Sequence, residues 1–290
     1  MNEFRVSTDL GRLSVREVGD GRPVILWHSM FVDSHSWDRI VPDLAADHRL
    51  FLVDAPSAGG SDALERAVDI AECARAAERL VDDIRRRTGH DRVRWVGNAW
   101  GGHVGLDLAA TRPDMIADLV AISAPTHPIG RGVRRKVRAL LPLYRIIGAR
   151  GPVLSAIEDT LFTERTRRED AEAMDMLHDS LSASGRSMIA AVETAILNRT
   201  DLGWAAARIT APVAFVTTDD RGEWTPEEAR AVAVTMDDAV EITVSGARVI
   251  PALERPAATA DAIRSFWAEV DRRPPARRPE REPEPSPTVS

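Results

Sequence analysis

The sequence predicts an α/β chain built on a doubly wound, mostly parallel sheet. Residues 23–27, 49–53, 93–96 and 117–122 are short continuous apolar runs, the pattern of strands buried on both faces. Helix-spaced segments separate them, so strands and helices alternate. The stretch RVRWVGNAWGGHVGLDLAATRPD, residues 92–114, passes from strand to helix through a glycine-rich turn, and the other elements are arranged around it.

In chain order, 4–7 and 13–18 alternate in polarity about Asp9-Leu10-Gly11 and predict an antiparallel hairpin. Residues 23–27 follow as a buried strand ending in His28-Ser29-Met30-Phe31. Trp37, Ile40, Val41 and Leu44 are spaced for a helix over 36–46. Residues 49–53 form the next strand, and a long amphipathic helix covers about 67–87. Strand 93–96 then runs into a helix from Trp100 to near Pro113. After strand 117–122 the strand rhythm stops, and helical patterns occupy 133–147, 153–162, 168–181 and 186–197. Strand 212–216, helix 227–235, strand 240–244, loop 246–256 and a last helix to about 270 complete the order. Residues 271–290 are rich in proline and charge and predict a disordered tail.

Composition narrows the function. At 290 residues and 44% hydrophobic content the chain has enough apolar material for one large core. A net charge of -7 gives no basic excess for nucleic acid. Cys73 is the single cysteine, so there is no internal disulfide framework. With no signal-peptide core and no apolar run of about 18 residues, no membrane association is expected and the expected location is cytoplasmic. Arg131, Arg134, Arg135, Lys136 and Arg138 read as a solvated helix face.

Gly97-Asn98-Ala99-Trp100-Gly101 resembles the nucleophile elbow of the α/β-hydrolase family, G-x-S-x-G. The stretch PVILWHSMFVDSHSWDRIVPDLA looks like the family's strand, HG loop and helix, and VDAPSAGGSD like its D-x-P-G-x-G-x-S turn. Ser29 stands where the HG pair has glycine, and Ser57-Ala58 where Gly-His is usual. The resemblance implies a core over residues 1–125 and 209–270, with a helical lid inserted at 126–208.

It also implies a catalytic apparatus, of which two parts are missing. Ala99 occupies the nucleophile position and has no attacking atom. The loop 246–256 keeps the length, glycine, glutamate and proline of the family's histidine loop, but Val249 stands at the histidine position. The acid is matched by Asp220, or else by Asp219. Loss of nucleophile or base costs about six orders of magnitude in turnover, so ordinary Ser-His-Asp hydrolysis is excluded as the main activity. The oxyanion hole, being backbone, is expected at the Met30 and Trp100 amides.

His28, whose pKa would lie near working pH, and Asp220 are the candidate acid–base groups. Ser29, Asp33, Asn98, Ala99, Tyr144 and Val249 are expected to line the pocket. His35 is placed at the rim, and His103 as a satisfied core histidine. No metal and no cofactor are expected, and the partner is a small-molecule ligand or substrate. The leading expectation is a triad-less enzyme performing non-hydrolytic chemistry (cyclisation, isomerisation, elimination or C–C cleavage) on a carbonyl-containing, largely apolar molecule. The alternatives are a non-catalytic binding or scaffolding protein, or a hydrolase whose water is activated by Asp220 or His28.

Overall fold

The computed structural model describes residues 2–220 and 223–273. Eight strands form one sheet: β1 Asn2–Thr8, β2 Gly11–Val18, β3 Arg22–Trp27, β4 His48–Val53, β5 Val93–Asn98, β6 Ile116–Ile122, β7 Val213–Thr218 and β8 Ala239–Val244. Their order is β1-β2-β4-β3-β5-β6-β7-β8. The β1–β2 hairpin joins antiparallel to β4, and every later pairing is parallel.

Side-chain alternation divides the core between the two faces. Ile25, Trp27, Phe51, Val53 and Trp95 point to the face covered by the helices Ile70–Thr88 and Trp100–Thr111. Val24, Leu26, Leu50, Leu52 and Val96 point to the other, where the helix Pro256–Arg272 packs Ile263, Phe266 and Trp267 against them. The Ile70–Thr88 helix begins with a capping box between Asp69 and Glu72 and ends at left-handed Gly89, with Arg85, Arg86 and Arg87 in its last turn.

Several elements differ from the sequence expectation. The helix predicted over 36–46 is a 3-10 turn, Ser34–Trp37, followed by a short helix, Val41–Leu44. Pro42 has no N–H, and in a continuous helix its ring would strike the Asp38 carbonyl. The helix predicted over 168–181 is broken at Asp170. That residue caps Ala171–Ser184 and is held by the Arg39 guanidinium at 2.6 and 2.7 Å. Residues 186–197 form three short pieces after left-handed Gly185, the last a π-turn over Glu193–Leu197. The loop predicted over 246–256 contains a short helix, Pro251–Glu254.

The predicted tail begins too early. Asp271 and Arg272 belong to the last helix, and Asp271 pairs with Arg22 and with buried Arg94. The rest of the tail, 274–290, lies outside the described residues. Among the described residues, no helix is long and apolar enough to cross a membrane.

Candidate functional site

The elbow is a place where backbone packs on backbone. A Cβ on Gly97 would lie 2.2 Å from the Gly101 backbone, one on Gly101 2.1 Å from the Trp27 carbonyl, and one on Gly102 2.5 Å from the Ala124 Cβ. These glycines let the helix Trp100–Thr111 start immediately against β3 and β5. Ala99, between strand and helix, has φ 45° and ψ -101°, which L side chains rarely adopt. It is held there by its N–H donating to Ile122 at 2.7 Å and its carbonyl accepting from His103 at 2.9 Å. Behind it Trp27 stacks on Trp95, whose indole N–H donates to Gly101 at 2.9 Å.

A cavity of about 660 Å³ opens over this turn. Ser29, Met30, Ala99, Trp100, Tyr144 and Val249 border it. Among the described residues neither the Met30 nor the Trp100 amide donates to a protein acceptor. The Trp100 amide is also the first of the helix N-terminus, where partial positive charge collects. The roof is apolar, with Val133, Val137, Leu140 and Leu141 from the helix Arg131–Ile147. Tyr144 donates to the Gly185 carbonyl at 3.2 Å, and burial pushes its phenol up to about 12.

The expected acid–base groups are placed differently. His28 does not border the cavity; Nδ1–H donates to the Ser29 carbonyl at 2.6 Å and Nε2 accepts from the Ala55 amide at 2.8 Å. Burial pushes its imidazole below the usual range, against the pull of Asp54 and Asp33. With both nitrogens committed, His28 holds the β3 and β4 loops together and has none left for a substrate. This corrects the acid–base expectation for it.

Asp220 does not border the cavity either; its carboxylate accepts from Arg248 Nη2 at 3.0 Å. The pairing with Arg221 weighed from the sequence lies outside the described residues. Asp219 is tied into the loop by the Gly246 amide at 2.7 Å, which holds its pKa below the usual range. Asp33 and Asn98 also stand away from the cavity. Asp33 accepts from the His35 amide at 2.9 Å and from the Ser180 hydroxyl at 2.8 Å. Asn98 donates to the Val249 and Ile122 carbonyls at 2.9 and 3.2 Å, fixing the loop that carries Val249. His35 is exposed and pairs with Asp38.

Loop 246–256 keeps its shape for local reasons. Glu254 accepts from the Arg248 amide at 2.6 Å and from the Thr163 amide and Thr166 hydroxyl, each at 2.8 Å. Val249 donates to the Leu161 carbonyl at 3.1 Å.

Sequence reasoning missed one polar wall of the cavity. His103, one helical turn beyond Ala99, is buried and borders it, with the Pro125 carbonyl against its ring. Burial holds it well below the usual range, helped by Arg199 and His127 and opposed by the Pro125 carbonyl. Ser123, left-handed at φ 47°, also borders the cavity with its hydroxyl unpartnered, and Arg199, Glu223 and Arg248 border it too. Arg248 had a signal, being next to Val249. Arg199 and Glu223 had none, since only folding brings their segments to the elbow.

Antiparallel hairpin, parallel strands, elbow and cavity at the carboxyl ends of the strands complete the architecture. The chain has the α/β-hydrolase fold. The family model described as alpha/beta hydrolase fold matches residues 22–144. Among curated proteins, the chain is 33% identical over 131 residues to epoxide hydrolase A of Mycobacterium tuberculosis. It is 29% identical over 121 residues to a 2-hydroxy-6-oxononadienedioate/2-hydroxy-6-oxononatrienedioate hydrolase of Klebsiella pneumoniae. These matches cover 43% and 40% of this chain, and the chain spans only 39% and 41% of those relatives.

The fold extends further than the sequence match. A thermophilic esterase from Thermogutta terrifontis superposes with TM-score 0.83 at 20% identity, over 93% of this chain and 99% of that one. The enol-lactonase of Burkholderia xenovorans superposes with TM-score 0.81 at 20% identity, over 91% and 100%.

Proposed function

We propose that this α/β-hydrolase-fold chain binds a largely apolar, carbonyl-containing small molecule under a helical lid and acts on it by non-hydrolytic chemistry. The observation that supports this best is Ala99. A residue without a nucleophile is held in the strained elbow, beside two amides that have no protein acceptor among the described residues and beneath an apolar roof. Two N–H groups aimed at a carbonyl oxygen stabilise the charge that develops there in enolisation, elimination or retro-aldol cleavage. Such reactions need positioning and one proton-handling group, but no covalent intermediate. In this reading the carbonyl lies on Met30 and Trp100, and His103 is the imidazole within the cavity for the proton.

The test is proton exchange beside a bound carbonyl. In D2O, 2-decanone is expected to take up deuterium next to its carbonyl faster with the protein than in buffer. Ala99→Trp, which fills the corner, is expected to abolish both binding and exchange. Binding without exchange would make the chain a ligand-binding protein, and no binding at all would end the reading. The hydrolytic alternative draws on the relatives, which are hydrolases by name. It predicts ester turnover that survives in the wild-type protein without labelling by a serine-directed probe.

A further inference from the structure

The polar wall is rich in donors and poor in free acceptors. Arg199 and Arg248 are 5% and 8% exposed, and with Arg167 they border the cavity. Each has at least one terminal nitrogen engaged. Arg199 makes a two-pronged pair with Glu223 at 2.9 and 2.7 Å. Arg248 donates to Asp220 at 3.0 Å and to the Asp159 carbonyl, and Arg167 to the Asp159 carboxylate.

In all three guanidiniums the Nε–H is buried and has no acceptor among the described residues, and the Ser123 hydroxyl shares that condition. Guanidiniums gathered on one cavity wall concentrate positive charge there. The two carboxylates of the wall, Asp159 and Glu223, are each occupied by an arginine. The four cationic side chains bordering the cavity, Lys136, Arg167, Arg199 and Arg248, outnumber these two, so the wall carries net positive charge.

The roof points to the same charge. The helix Arg131–Ile147 contains no acidic residue. Its Arg131, Arg134, Arg135, Lys136 and Arg138 have no carboxylate partner among the described residues, whereas Arg145 pairs with Glu193 at 3.0 Å. Lys136 stands on the cavity rim. On a chain of net charge -7 this is a local reversal of sign, the arrangement that draws an anion to a cleft.

We propose that the ligand carries a carboxylate in addition to its carbonyl. Arg199 and Arg248 hold it by the charge of their guanidiniums on the cavity wall, and Lys136 and Arg167 add positive charge at the rim. The ligand is thus an apolar keto acid or a close relative, and the proposal rests on the carbonyl reading above.

The test compares 9-oxodecanoate with 2-decanone, which has the same carbonyl and chain but no carboxylate. Trp100 and Trp224 border the cavity, so binding is read by tryptophan fluorescence on the full chain. The keto acid is expected to bind at least about tenfold more tightly, as charge-assisted hydrogen bonds allow. That preference is expected to shrink as salt is raised. In the double variant Arg199→Gln with Glu223→Gln, which removes both partners of one ion pair together, the preference should fall about fivefold or more. If that variant does not fold, the comparison of the two ligands on the wild-type protein still decides. Equal or tighter binding of 2-decanone would overturn the carboxylate and leave the carbonyl reading standing. Binding of neither would overturn both.

Discussion

At the scale of single residues, the proposed function turns on Ala99 and Val249. Ala99 sits in the strained turn between β5 and the helix after it, and Val249 in a loop pinned by Asn98 and Glu254. The protein is expected to be inert to fluorophosphonate probes, checked by intact-mass spectrometry; stoichiometric labelling near the elbow would contradict this. Restoring Ala99→Ser alone is expected to leave p-nitrophenyl ester hydrolysis at background, because His28 has no free nitrogen to take the proton. Adding Val249→His should raise that rate by about 10²-fold or more, the usual worth of a positioned base. Asp220 must be drawn from Arg248 to orient the new ring, so the double variant is expected to stay well short of a native hydrolase. An active single variant would show that another group, His103 first, serves as base.

At the scale of elements, the strand–turn–helix unit tolerates no side chain where it is tightest. Gly101→Ala would place a Cβ 2.1 Å from the Trp27 carbonyl, which is backbone and cannot swing aside. It is expected to cost about 3 kcal/mol in chemical denaturation, at the upper end for overpacking. A Cβ on Gly132, in the first turn of the helix Arg131–Ile147, would meet nothing within 4 Å. Gly132→Ala is therefore expected to be neutral or to stabilise by up to about 1 kcal/mol. Similar losses from both variants would mean that the elbow is looser than its contacts indicate.

At the scale of the whole molecule, two buried carboxylates couple folding to pH. Burial raises Asp107 to about 6, and raises Asp118 to about 6 against the pull of Arg94. Both values lie above the ordinary 3.8, so the folded state holds these protons more tightly than the unfolded chain. Their contribution is then fully present below about pH 4 and is lost as pH rises to about 6. Asp107 has no ion-pair partner among the described residues. Asp107→Asn is accordingly expected to be more stable than wild type by about 1–3 kcal/mol near pH 8, with the gap closing near pH 4. Asp118→Asn should destabilise near pH 8, where it removes the ionised partner 3.2 Å from buried Arg94, and much less near pH 4, where Asp118 is already neutral. Melting curves at the two pH values check both; a pH-independent gap for Asp107→Asn would refute the assignment.

The sequence by itself determined the sheet and the glycine-rich turn between strand and helix. Each is written locally, as an apolar run or a glycine spacing. It also marked Ser29, Met30, Ala99, Trp100, Tyr144 and Val249, which the fold brings to one cavity. Only the tertiary structure decided what the polar residues do. His28 reads as a free imidazole until the Ser29 carbonyl and the Ala55 amide take its two nitrogens. His103 reads as a core histidine until the cavity is found beside it. Arg199 and Glu223 carry no pattern at all, yet they meet on the cavity wall. Backbone geometry follows from short-range sterics and is legible along the chain. The state of a buried polar group depends on which distant atoms reach it, and that is fixed only when the chain closes on itself.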